Sequence, residues 1–352
     1  MNRLPVFPIE STDEIFAQLE EAFTQHEAAR ETSVEFKRPG PSCWTYAQDW
    51  AQRAVDRPEG EPLPDWDPIF EEAPPENWLS WAIGTALGRF DKEGEKGWLD
   101  EAPDDALEAG ILYTSATDFD DSLADPACQL LHDYWDEYGD KVGRNKDDLN
   151  SWLREKFFKD VHRQMYDNAP IYFPVSSQKK SFVAHINIHR WTAHTLRTLL
   201  ASWLLPEQRQ LEELRDNLRT TMESADGRAR SDADQRLDDT LKLLAELDEF
   251  IEDVRQCAEF GPPPTDSKCP PRETDAPYDP VLDDGTMINA AALWPILDPL
   301  WRKYPKKWWK KLANEKGYRG KHFDGSKLAA RYFPTCVDQK CQEDPSVAVA
   351  HG

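Results

Sequence analysis

The residues with the greatest chemical potential in this 352-residue chain are its clustered lysines. The run Trp301-Arg302-Lys303-Tyr304-Pro305-Lys306-Lys307-Trp308-Trp309-Lys310-Lys311 predicts a helix. Helical spacing sets Lys306, Lys307, Lys310 and Lys311 on one face and Trp308 and Trp309 on the opposite one. Lysines neutralise phosphates and release counterions, while aromatic faces stack on unpaired bases or pack beneath lysine stems. The same ridge could equally pair with the acidic body of the chain or with a partner protein.

Charge is polarised along the chain. The net charge is −24, which by itself argues against a nucleic-acid partner. Between residues 168 and 206, however, there is no Asp or Glu, and Lys179, Lys180, Arg190 and Arg197 stand beside His185, His189 and His194. Between 301 and 331 eleven Lys or Arg, with Arg319 and Lys321 among them, face only Glu315 and Asp324. These two windows carry +13, so the rest of the chain carries −37. The candidate DNA-contacting residues are therefore Lys179, Lys180, Arg190, Arg197, Lys306, Lys307, Lys310, Lys311, Arg319 and Lys321.

Other constellations are weaker. Val34-Glu35-Phe36-Lys37 has the Glu-x-Lys arrangement of magnesium nucleases, and Asp13 could supply a second carboxylate, but a solvated charged turn explains it better. His185 and His189, four apart in an alternating run, would share a strand face about 13 Å apart, too far for one metal. Six cysteines (Cys43, Cys128, Cys257, Cys269, Cys336, Cys341) form no CxxC pair, which predicts reduced structural thiols and no metal. Adenine methylation needs a glycine-rich turn for S-adenosylmethionine and an Asn/Asp-Pro-Pro-aromatic tetrapeptide for the flipped base. No GxG occurs, and Asp167-Asn168-Ala169-Pro170-Ile171-Tyr172 has one proline where the motif has two. No catalytic residue and no cofactor site is expected in this chain.

The elements that must position the lysines read as a helix-rich α+β fold. Four segments are expected. Residues 1–75 hold a helix with Ile15, Phe16, Leu19 and Phe23 in its apolar stripe, capped at Ser11, followed by a Pro- and Trp-rich loop region from 44. Residues 76–206 combine helices, one over 77–90 with Gly84 and Gly88 for close packing, with a β-hairpin, Ile171–Val175 and Phe182–Ile188. The hairpin's basic turn would project Lys179 and Lys180, and a helix from about 192 would stop at Pro206. Residues 207–260, with Leu211, Leu214 and Leu218, then Leu237, Leu241, Leu244, Leu247, Ile251 and Val254, predict a long antiparallel helical hairpin or coiled-coil spacer. Residues 261–352 are a Pro-rich linker and a small basic C-terminal region. No run is long and apolar enough for a membrane span, and the N-terminus has no secretory pattern, so a cytoplasmic location is expected.

Several phrases in shared order resemble a known family. They are Ala82-Ile83-Gly84 with Gly88-Arg89-Phe90, then Tyr166-Asp167-Asn168-Ala169-Pro170-Ile171-Tyr172-Phe173-Pro174-Val175, then Leu282-Asp283-Asp284-Gly285-Thr286-Met287-Ile288-Asn289, and finally Trp308-Trp309-Lys310 to Arg331-Tyr332-Phe333-Pro334. Most of the region 76–352 is similar to the part that follows the methylase core in PglX-like adenine-specific DNA methyltransferases of BREX and DISARM phage-defence systems, and also to fused restriction-modification enzymes. The resemblance implies S-adenosylmethionine as cofactor of the full enzyme. It also implies double-stranded DNA and a methyltransferase catalytic subunit, or other defence proteins, as partners. This chain would then be the DNA-contacting, target-recognition and scaffolding part without the methylation chemistry. The alternative is a protein-interaction module of such a complex that never touches DNA.

Overall fold

The computed structural model describes residues 10–119, 121–143, 147–224, 226–266, 271–312 and 326–343. The fold is helix-rich α+β, as its patterning predicts. It divides into two compact units, residues 1–103 with 130–144, and residues 104–129 with 145–352. The stretch expected to form one unit over 76–206 is therefore shared between the two.

The first unit is built on α1 (Thr12–Ala29), α2 (Trp44–Asp56), α3 (Pro75–Ala86) and α4 (Gln129–Val142). In α1 the buried stripe is Ile15 and Ala22, while Phe16 is 62% exposed. Ser11 has a left-handed backbone and makes no side-chain cap. Helix α2 replaces the loop expected from residue 44, because Ala47, Trp50, Ala51 and Ala54 form a helical stripe and the prolines begin only after it. Helix α3 ends in a Schellman closure, with Arg89 N donating to Gly84 O and Gly88 N to Thr85 O. Gly88, at φ 67°, is thus a helix terminator and not the packing residue its spacing predicts. Trp78 and Trp81 pack on Tyr134 of α4.

The second unit surrounds a three-stranded antiparallel sheet of order β1-β3-β2, with β1 (Ile111–Ser115), β2 (Tyr172–Ser176) and β3 (Phe182–Asn187). The hairpin β2–β3 matches the alternating pattern, whereas β1 is hidden in an acidic region that predicts no strand. Every strand residue is buried, so both faces of the sheet are covered. On one face Tyr113, Phe173, Val175 and Ala184 join the main core. On the other, a continuous helical stretch packs against the strands: α5 (Leu149–Trp152), a π-helical segment Leu153–His162, and α6 (Arg163–Met165).

The next helix overturns an expectation. It begins as α7 (Thr195–Thr198), widens into a π-helical segment Leu199–Leu204, and runs on through Pro206 as α8 (Leu205–Ser224). A proline removes one backbone donor and crowds the carbonyl one turn earlier, and the wider π turn just before it relieves both. Helix α9 (Gly227–Glu259) then returns antiparallel, completing the predicted hairpin. Leu244, Leu247, Ile251 and Val254 carry it onto the sheet core. The C-terminal helices α10 (Thr286–Ala291), α11 (Lys303–Leu312), α12 (Lys327–Tyr332) and α13 (Pro334–Glu343) complete the unit. Among the described residues no helix is long and apolar enough to cross a membrane.

Candidate nucleic-acid interface

Helix α11 holds the lysine ridge, and its orientation is set by one buried ring. Trp309 is 1% exposed and lies nearly perpendicular to Tyr332, with ring centroids 5.4 Å apart. Trp308 does not share that burial. Successive helical residues point about 100° apart, so only one of two adjacent tryptophans can face the core. Trp308 stays partly exposed under the ammonium of Lys311, which sits 4.2 Å from the ring centre. Lys306 covers Trp294 in the same way, at 4.4 Å.

The lysines consequently divide. Lys306, Lys307 and Lys310 line an open groove of about 410 Å³ together with Pro299, Arg302 and Lys303. Lys311 lies outside that lining. Lys310 forms an ion pair with Asp266. Arg302 is half-buried; its Nε donates to Leu297 O and its Nη1 to Gln178 Oε1, both at 3.1 Å. Burial pushes its pKa down, and the carboxylates of Asp253 and Asp298 oppose that shift.

The bond to Gln178 joins the groove to the β2–β3 turn. That turn is held firmly. Glu246 on α9 accepts from Ser177 Oγ at 2.6 Å, Lys179 N at 2.8 Å and Ser181 Oγ at 2.7 Å. These donors outweigh the cost of burial and hold the Glu246 carboxyl below its ordinary pKa. Lys180, in a left-handed conformation at φ 63°, sends its ammonium to Asp298, whose side chain is 2% exposed. Of the two lysines expected to project from the turn, Lys179 is exposed and Lys180 is committed to an internal pair.

The remaining candidates are placed elsewhere. Arg190 is half-buried and donates to Leu107 O at 3.2 Å, and burial lowers its pKa. Arg197 is exposed on α7. Neither lines the groove. Arg319 and Lys321 lie outside the described residues. Arg302, Lys303, Glu246 and Asp298 are the residues that sequence patterning did not single out; Lys303 and Arg302 belonged to the same basic run, whereas the two acids gave no local signal.

The other constellations do not assemble. Asp13 sits in the first turn of α1, whereas Glu35 is held at its far end, where Lys37 N donates to Ala28 O, so the helix separates them by about 24 Å. They cannot share a magnesium ion. Strand β3 ends at Asn187, so His185 and His189 are not on one strand. His185 is fully buried, donates from Nε2 to Leu153 O at 3.1 Å, and is held neutral by burial with its pKa pushed down to about 4. Cys43, Cys128 and Cys257 are buried free thiols. Among the described residues no group of His, Cys, Asp and Glu could hold a metal ion. No protein-family model matches the sequence, and comparison with curated proteins finds no relative.

Proposed function

We propose that this chain is a DNA-contacting and scaffolding component of a phage-defence adenine methyltransferase system, of the kind its ordered phrases resemble, and carries no methylation chemistry itself. One observation supports the DNA-contacting part above all. The two basic windows, with 94 residues between them, meet where Arg302 bonds Gln178, which joins the lysine-lined groove of α11 to the turn that carries Lys179 on an otherwise acidic protein. Such a surface attracts a polyanion while the acidic remainder repels non-specific approach.

The test is the salt dependence of duplex-DNA binding. Affinity should fall steeply with rising salt. Replacing Lys303, Lys306, Lys307 and Lys310 with Ala should flatten the slope of log affinity against log salt by about 3.6, that is 0.9 for each phosphate no longer neutralised. Binding that does not depend on salt, or a slope unchanged in the variant, removes the proposal.

A second reading follows from the ion pairs Lys180–Asp298 and Lys310–Asp266, in which the basic windows already engage carboxylates. On that reading the ridge docks an acidic protein partner. Capture of a methyltransferase subunit that survives nuclease treatment, together with no duplex binding, favours it.

A further inference from the structure

We infer that this surface grips the backbone of a double helix at two fixed points, the α11 groove and the Gln178–Lys179 tip, and does not hold unpaired bases or read base sequence. The inference rests on the DNA-contacting reading above and narrows the ligand. Its first support is the state of the tryptophans. Binding of single strands relies on open aromatic faces on which successive bases stack. Around this groove the faces of Trp294 and Trp308 are covered by the ammoniums of Lys306 and Lys311, at 4.4 and 4.2 Å. Trp301 and Trp309 are buried at 0% and 1% exposure. Among the described residues of the ridge, Tyr304, 56% exposed, is the one open ring. A lone ring provides no stacking platform.

The second support is rigidity. The amide of Lys179 is bonded to Glu246, Lys180 in the same turn is paired with Asp298, and Arg302 is bonded on one side to Leu297 and on the other to Gln178. The two gripping points are therefore held at a constant separation. A duplex presents phosphates at regular spacing and suits such a template, whereas a flexible strand gains nothing from it.

The third support is that the described residues of this surface offer no base-reading fork. The planar forked side chains that fix the orientation of a base edge are those of Arg, Asn and Gln. Here Arg302 and Gln178 are bonded to each other, and the remaining groove cations are lysines, which act as point charges on phosphate.

The experiment measures anisotropy of the full chain with two unrelated labelled duplexes of about 20 base pairs and a labelled oligo-dT of the same length, longer than a typical single-strand site. Each titration is repeated over a range of KCl concentrations. The expected result is equal affinity for the two duplexes, weaker affinity for oligo-dT, a several-fold loss of duplex affinity in Lys179→Ala and in Lys306→Ala, and no change in Tyr304→Ala. Oligo-dT binding as tightly as duplex, a preference between the duplexes, no loss in Lys179→Ala, or a loss in Tyr304→Ala overturns the inference while leaving DNA binding itself standing. Absence of salt-sensitive binding to any of the three overturns both.

Discussion

The ammonium of Lys180 lies 2.6 Å from the carboxylate of Asp298, tying the β2–β3 turn to the segment that extends the sheet beyond β2. Asp298 N also donates to Pro174 O, and Ser176 N to Ile296 O, both at 2.8 Å, so the pair closes a backbone junction already made by hydrogen bonds. Both side chains are largely withdrawn from water. Removing one partner of such a pair strands the other charge. Asp298→Asn should therefore cost about 3 kcal/mol of stability in urea unfolding.

Two buried glutamates give opposite pH signatures. Glu246 has its pKa held below the ordinary 4.5 despite burial, by donors from Ser177, Ser181 and the backbone of the turn. Its stabilisation is complete above that ordinary value and is lost as pH falls through the lowered one. Glu246→Gln should lower stability at neutral pH by about 1–3 kcal/mol and flatten the acid-side decline.

Glu207 behaves in reverse. It is 2% exposed, and burial raises its pKa even though Thr117 Oγ1 donates to it at 2.5 Å and Tyr113 Oη at 3.3 Å. A raised carboxyl favours the protonated fold, so its contribution is fully present below 4.5 and is lost as pH rises through the folded value. Glu207→Gln should raise the melting temperature at pH 7 and leave it unchanged near pH 4, as thermal scans at the two pH values would show.

The adjacent tryptophans of α11 should separate cleanly in mutagenesis. Trp309→Ala removes a ring packed on Tyr332 and Phe333 and should cost about 3–5 kcal/mol. Trp308→Ala removes a partly exposed ring beneath Lys311 and should cost about 1 kcal/mol. Denaturation midpoints of the two variants check the orientation of the whole ridge.

Asp266 sits where a phosphate would compete for Lys310. Exposed pairs of this kind are weak, so Asp266→Asn should leave stability unchanged and tighten duplex binding by about twofold. A titration at low salt, where screening is least, reads the difference.

In the first unit, Gly97 has φ 69°, and a side chain there would collide with the backbone carbonyl oxygen of Phe36. Gly97→Ala should destabilise that unit by about 2 kcal/mol, visible as an earlier phase in limited proteolysis. The main core of the second unit contains no residue of the first and should unfold unchanged.

The sequence by itself determined the helix-rich class, the β2–β3 hairpin and the α8–α9 pair, because each is written in a periodicity of apolar residues that needs no distant partner. It also set the charge polarity that marks α11. Tertiary structure alone decided what the cations do. Lys180 and Lys179 look alike in the chain, yet only one of them reaches a buried carboxylate, and that carboxylate lies in a different segment. Strand β1 exists because β3 supplies its hydrogen bonds, and the helix continues through Pro206 because a π-helical turn relieves the proline. The joining of the two basic windows rests on Arg302 and Gln178, 124 residues apart, and no local pattern encodes a hydrogen bond of that span.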